Sequence, residues 1–212
     1  MIRAILTVKG GVGKTTTAMN LAAGFAYAGR KTLLIDFDGQ ANLSNILLGD
    51  QIPEKTITEV MSGKAEIREC IMPTRVRNLD IVPSSIYLFA IERRMLQETA
   101  GIQQFKLRRA LKSLKEYDEI VIDNNPSLNM CSTNALCACD EVIIPTIADR
   151  YLRRYRENSA CGIQFRGGAD SGTACRGREA KGYEQGDQNV FGQELYPTLK
   201  ERPQRQFKII QL

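Results

Sequence analysis

A chain of 212 residues, 43% of them hydrophobic, is long enough to bury one two-sided core and too short for more than two small domains. Its formal charge is +5 and it contains no histidine, which excludes the usual imidazole base of Ser-His or Cys-His catalysis and the commoner zinc ligand sets. No apolar run approaches the roughly 20 residues of a bilayer span and no secretory leader opens the chain, so the sequence reads as a soluble cytoplasmic protein whose chemistry rests on carboxylates, lysines, backbone amides and a bound metal.

Residues 3–8, RAILTV, form a short apolar run that ends in glycines. Residues 15–29 then place Met19, Leu21, Ala22, Phe25 and Ala26 at helical spacing before Gly29, which predicts strand, loop, helix. Further runs rich in Ile, Val and Leu follow at 31–37, 78–83, 118–123 and 140–146. Each is nearly continuous, as in strands buried on both faces. Helical period occupies 56–62, 86–99 and 105–117, the last with Leu107, Leu111 and Leu114 on one face and Lys106, Arg108, Arg109, Lys112 and Lys115 around them. That basic helix suits either a nucleic-acid surface or a solvated face, and mixed helical charge favours the solvated face. Alternating strands and helices predict an α/β fold, a mostly parallel sheet flanked by helices.

The texture changes after Asp149. The first 150 residues carry 18 basic and 17 acidic side chains, the last 62 carry 11 and 7, so the excess charge sits in the tail. Residues 151–212 hold 8 of the 17 glycines and only eight Ile, Leu, Val or Met, without period. Such a Gly/Arg-rich segment lacks the apolar surface to offset its chain entropy and reads as disordered. The six cysteines, Cys70, Cys131, Cys137, Cys139, Cys161 and Cys175, show no CxxC pairing and read as free thiols.

The chemistry gathers in GGVGKTT, residues 10–16, between the first strand and the first helix. Gly10, Gly11 and Gly13 allow a turn tight enough for backbone N–H groups to converge on phosphate oxygens, and the helix that follows turns its positive end to the same anion. Lys14 neutralises phosphate charge and Thr15 offers a hydroxyl to Mg²⁺. The phosphate-loop pattern is broken at its first position, where Lys9 replaces glycine. Hydrolysis also needs carboxylates for the metal and the attacking water. Asp36, Asp38 and Asp123 supply candidates at predicted carboxyl ends of strands, where ligands gather in open α/β sheets.

KGGVGKTTTAMNLAAGFAYAGRKTLLIDFDGQANLS, YDEIVIDNNPSLNMCSTNAL and CDEVIIPT, taken together in this order, resemble the deviant Walker A ATPases of the ParA type, relatives of MinD. The resemblance covers residues 1–150. It implies a P-loop NTPase fold, here incomplete on its carboxyl-terminal side, with 1–150 as the ATPase core and 151–212 as an unmatched tail. It implies ATP and Mg²⁺ as cofactors. The nucleotide would be held by Lys9, Gly10, Gly11, Val12, Gly13, Lys14, Thr15 and Thr16, and the metal by Thr15, Asp123 acting through water, and Asp36 in support. Lys14 is then the loop lysine, Asp38 the carboxylate beside the attacking water, and Lys9 the signature lysine that reaches the partner's phosphates across an ATP-bound dimer.

Three departures stand out. The family's D-x-D-P-Q is Asp36-Phe37-Asp38-Gly39-Gln40 here, and its D-x-P-P-S is Asp123-Asn124-Asn125-Pro126-Ser127. Each lost proline adds backbone freedom, at about 0.4 to 1 kcal/mol. After Tyr151 the family pattern stops, and the tail is expected to be an out-of-frame or decayed end, with a divergent genuine end as the alternative. The resemblance implies a partition ATPase for plasmids or chromosomes. It would dimerise on ATP, bind DNA without sequence preference at the nucleoid and be stimulated by a ParB-like DNA-binding protein. The alternatives are a catalytically impaired remnant and, next, a MinD-like membrane-cycling ATPase. The last is disfavoured because RPQRQFKIIQL is too short for a basic amphipathic membrane helix. A metallocluster relative would need bridging cysteines, whereas Cys131 and Cys137 suit buried helix packing.

Overall fold

Residues 1–49, 51, 53–98, 102–146 and 206–211 are described by the computed structural model. Along the chain they form β1 (Ile2–Ile5), α1 (Lys14–Tyr27), β2 (Thr32–Phe37), α2 (Asn42–Leu48), α3 (Ile57–Met61), β3 (Met72–Pro73) and β4 (Leu79–Val82). There follow α4 (Leu88–Gln97), α5 (Lys106–Leu111), β5 (Glu119–Asn124), α6 (Met130–Ala138), β6 (Glu141–Thr146) and β7 (Gln206–Gln211). The sheet runs β3-β4-β2-β5-β1-β6-β7. Every neighbouring pair is parallel except β3 with β4. The expected α/β architecture is therefore present.

Alternation along the strands splits the core into two layers. Ile5, Leu34, Val121 and Ile143 face α1, which meets them with Ala18, Ala22 and Ala26. Three alanines spaced by four lie on one helical face, and their small size lets α1 settle close to the sheet. Ala4, Leu33, Ile35, Ile122 and Val142 point the other way, to Met61, Leu107, Leu111 and Ala135 of α3, α5 and α6. Side chains as fully buried as Leu33 and Ile35 each stabilise the fold by about 1.5 to 3 kcal/mol.

The amino-terminal edge of the sheet is locked by charge. Arg3 of β1 pairs with Glu119 of β5 and, at 2.7 Å, with Glu141 of β6, while Arg30 also pairs with Glu119. The two glutamates are buried and the Arg3 guanidinium lies over the Phe25 ring at 4.6 Å. Two carboxylates can be buried there because the planar guanidinium serves both.

The helix predicted over 105–117 ends at Leu111. Leu114 and Tyr117 are still buried, but they belong to a turn that delivers the chain to β5. The Tyr117 hydroxyl donates to Asp80 at 2.8 Å, and the Asp118 N–H donates to Lys31 O. Arg109, Lys112 and Lys115 are exposed, as on a solvated face. Cys70, Cys131, Cys137 and Cys139 are buried thiols outside any disulfide. Cys161, Cys175 and the expectation of a disordered or out-of-frame tail lie outside the described residues, apart from β7, which adds a parallel strand beyond β6.

The carboxyl ends of three central strands are level. Asp123 of β5 is in register with Ile5 of β1 on one side and with Asp36 of β2 on the other. Everything the sequence nominated for chemistry emerges at this edge.

Candidate functional site

The chain leaves β1 and turns back into α1 within the loop 6–13. Gly11 and Gly13 have φ of 71° and 78°, the left-handed region where a side chain costs energy. α1 has no side-chain cap and no acidic residue in its first turn. Its leading N–H groups and positive dipole end therefore face into the loop, an arrangement suited to an anion. Lys14 is 8% exposed, and its ammonium donates to the Lys9 carbonyl at 3.3 Å across the loop. Burial lowers its pKa, while Asp123 and Asp38 pull the other way. Lys9, by contrast, is exposed.

Asp123 is 1% exposed and sits beside the start of α1, where the Thr15 hydroxyl donates to it. Its pKa is pushed up to about 7, chiefly by burial; the Thr15 hydrogen bond opposes this, and the charges of Asp36 and Asp38 add to it. Among the described residues its Oδ1 has no hydrogen-bond partner. A buried carboxylate oxygen without a donor, next to a threonine hydroxyl, is a hard-oxygen arrangement that fits Mg²⁺. Among the described residues no group of three or more His, Cys, Asp or Glu side chains forms a metal cage. Mg²⁺ does not need one, because it keeps waters and takes phosphate oxygens.

Asp36, fully buried, turns its carboxylate to the next segment. One oxygen accepts from the Asp38 N–H at 3.2 Å, the other from Ser44 N–H and Oγ at 2.9 and 2.7 Å. Burial raises its pKa to about 6 against these hydrogen bonds. Ser44 Oγ in turn accepts from the Ser84 N–H at 2.9 Å. Asp36 is thus the anchor of the turn that follows β2. Asp38, half-buried, closes that turn: its carboxylate accepts from the Gln40 N–H at 2.9 Å and its carbonyl from the Ala41 N–H at 2.9 Å. Ala41 has φ of 54°, a strained conformation for a residue with a side chain.

Thr15, Lys14, Asp36, Asp38 and Asp123 are therefore brought together, with Gly10 to Gly13 wrapped in front of them. Lys9 stands apart. The sequence reading missed Ser44, which sits in the unpredicted α2, and Asn124, whose Nδ2 donates to Ile5 O at 3.1 Å and ties β5 to the loop's origin. The helix expected over 86–99 is present as α4, but its packing over this edge through Phe89 and Glu92 was not anticipated. No periodic pattern marks these residues; a short polar side chain after a strand-end aspartate is the one signal Ser44 offers. The extra freedom expected at Gly39 is curtailed, because Gly39 is buried beneath Phe89. Asn125 is buried and accepts from the Ser127 hydroxyl at 3.1 Å.

Residues 1–154 match the family described as AAA domain. Over 152 residues the chain is 39% identical to the sporulation initiation inhibitor protein Soj of Bacillus subtilis, covering 71% of this chain and 59% of that protein. The chain thus spans about three fifths of this curated relative's length. Among solved structures, a plasmid partition protein of Borrelia burgdorferi bound to AMPPNP is 34% identical with a TM-score of 0.63, covering 74% of this chain and 66% of that one. Cobyrinic acid a,c-diamide synthase of Mycobacterium smegmatis, with bound ATP analog and magnesium, is 30% identical with a TM-score of 0.65, covering 74% and 65%.

Proposed function

The chain belongs to the AAA domain family, among its ParA-type partition ATPases, and on that premise we propose that it is a Mg-ATP-dependent dimerising switch for partition of plasmid or chromosomal DNA. The observation that carries this reading is the convergence of Thr15, Asp123 and Lys14. A hydroxyl bonded to a buried carboxylate with one unpartnered oxygen stands beside an ammonium held inside an anion-binding loop.

In this reading the N–H groups of residues 10–16 cradle the phosphates and Lys14 carries the positive charge nearest them. Thr15 and Asp123 would hold Mg²⁺, which would supply positive charge to the phosphates. Asp36 holds the 38–41 turn through Ser44 and thereby supports the metal side of the site. Asp38 orients the attacking water. Lys9, which is exposed, reaches the γ-phosphate of a second copy and acts as an arginine finger would. Hydrolysis then depends on the dimer, so ATP serves as a switch. The ATP state binds DNA without sequence preference, at the nucleoid in the cytoplasm, and a ParB-like protein stimulates release. Among the described residues no helix is long and apolar enough to cross a membrane.

Turnover of ATP with Mg²⁺, with and without duplex DNA, tests the reading against a Lys14→Ala control. Turnover that the control loses supports it. Equal rates in both chains refute it.

A further inference from the structure

Helix α4 touches two separate segments of the active edge through side chains one turn apart. Phe89 and Glu92 are spaced by three and share a face. A Cβ built on Gly39 would lie 2.7 to 2.9 Å from three ring atoms of Phe89, so the ring occupies the volume a side chain at 39 needs. Gly39 follows Asp38 within the turn that strains Ala41 at φ 54°. Glu92, on the next turn, accepts from the Cys131 N–H at 3.2 Å, and the Cys131 thiol bonds to it as well. Cys131 is the second residue of α6, the helix that follows the Asp123–Ser127 segment. Glu92 thus satisfies one of the free N–H groups at the start of α6, beside the Asn129 side chain that accepts from Ser132 N–H.

We propose that α4 is a clamp that couples the 38–41 turn to the start of α6, with Phe89 and Glu92 as positioning residues for Asp38. This rests on the ATPase reading for its catalytic consequence. Glycine at 39 and phenylalanine at 89 are a matched pair: the ring confines a turn whose own backbone leaves it free. Movement of either segment on nucleotide binding must pass through the same short helix, so the two segments change together. A proline at 39, as in the D-x-D-P-Q pattern, carries a Cβ into the ring, so this chain achieves by a tertiary contact what a proline ring achieves locally.

The test is amide exchange in the nucleotide-free full chain, read at Gln40, Ala41 and Cys131, together with steady-state ATP turnover. Phe89→Ala, Phe89→Leu and Glu92→Gln are compared with wild type. The clamp predicts that Phe89→Ala and Glu92→Gln each raise exchange at both segments by about tenfold, and that Phe89→Leu, which keeps most of the volume, restores protection. It further predicts that kcat in Phe89→Ala falls about ten- to hundredfold while KM for ATP stays within about twofold, the pattern of a misplaced group. Exchange that rises only in the segment each side chain touches, or in neither, overturns the coupling. Coupled exchange in a chain whose turnover is insensitive to Lys14→Ala leaves the clamp standing and removes the ATPase reading instead. Global loss of protection in Phe89→Ala is separated from the clamp by Glu92→Gln, which removes no volume.

Discussion

Replacing Asp123 by asparagine should stabilise the nucleotide-free protein while abolishing its metal-dependent chemistry. The carboxylate is buried, its Oδ1 lacks a donor, and its pKa is raised from 3.8 to about 7. A folded-state pKa above the unfolded one means that the folded chain holds the extra proton between about pH 4 and pH 7. Stability therefore falls as pH rises through that window and is level above it. A shift of that size at about 1.4 kcal/mol per unit corresponds to an unfavourable contribution on the order of 4 kcal/mol at pH 8. Asparagine has the shape of the neutral acid and never ionises. Asp123→Asn should gain about 2 to 4 kcal/mol at pH 8 and close to nothing at pH 4, read by urea denaturation at both values. The same variant should lose the stabilisation expected from Mg-ATP, because the removed charge is the one proposed to hold the metal. A variant less stable than wild type at pH 8, or a gain independent of pH, would refute the reasoning.

Ser44→Ala removes one of the two hydrogen bonds that Ser44 gives the buried Asp36 carboxylate, the hydroxyl's, and spares the backbone one; it should cost about 1.5 to 3 kcal/mol at pH 8 and raise the Asp36 pKa further, measurable by NMR titration. Arg3→Met removes the guanidinium that the buried Glu119 and Glu141 share and leaves Glu119 paired with Arg30; it should cost about 3 to 5 kcal/mol in chemical denaturation, with ATP affinity unchanged because the lock lies at the opposite end of the strands. Ala41→Gly relieves the φ of 54° and should stabilise the folded chain by up to about 1 kcal/mol; a loss of stability would show that the strain is not there.

The central sheet was legible because β2 and β5 are buried on both faces along their whole length, so their apolar runs need no partner to be recognised. The loop was legible because phosphate chemistry demands Gly11, Gly13, Lys14 and Thr15 in one order. Helix α6 escaped for the same physical reason that β2 was seen. Seven of its nine residues are buried, so it has no solvent face and no amphipathic period to betray it. Helix α2 is held by Asp36 through Ser44, a tertiary bond that leaves little trace in local propensity. The Phe89–Gly39 contact joins positions fifty apart, and Arg3 with its two glutamates spans 116 and 138 positions. No window of sequence contains either. The residues that hold the site in place were thus harder to read than those proposed to perform its chemistry.

The division of labour between the two loop lysines is the point on which the account turns. Lys14 is buried and Lys9 exposed, so Lys9→Ala should leave ATP affinity within about twofold of wild type, read by titration with a fluorescent ATP analogue. DNA-stimulated turnover of the same variant should fall by about 10³-fold or more, as for loss of an arginine finger. Affinity and turnover falling together by the same factor would contradict the account, because Lys9 would then serve the nucleotide of its own subunit.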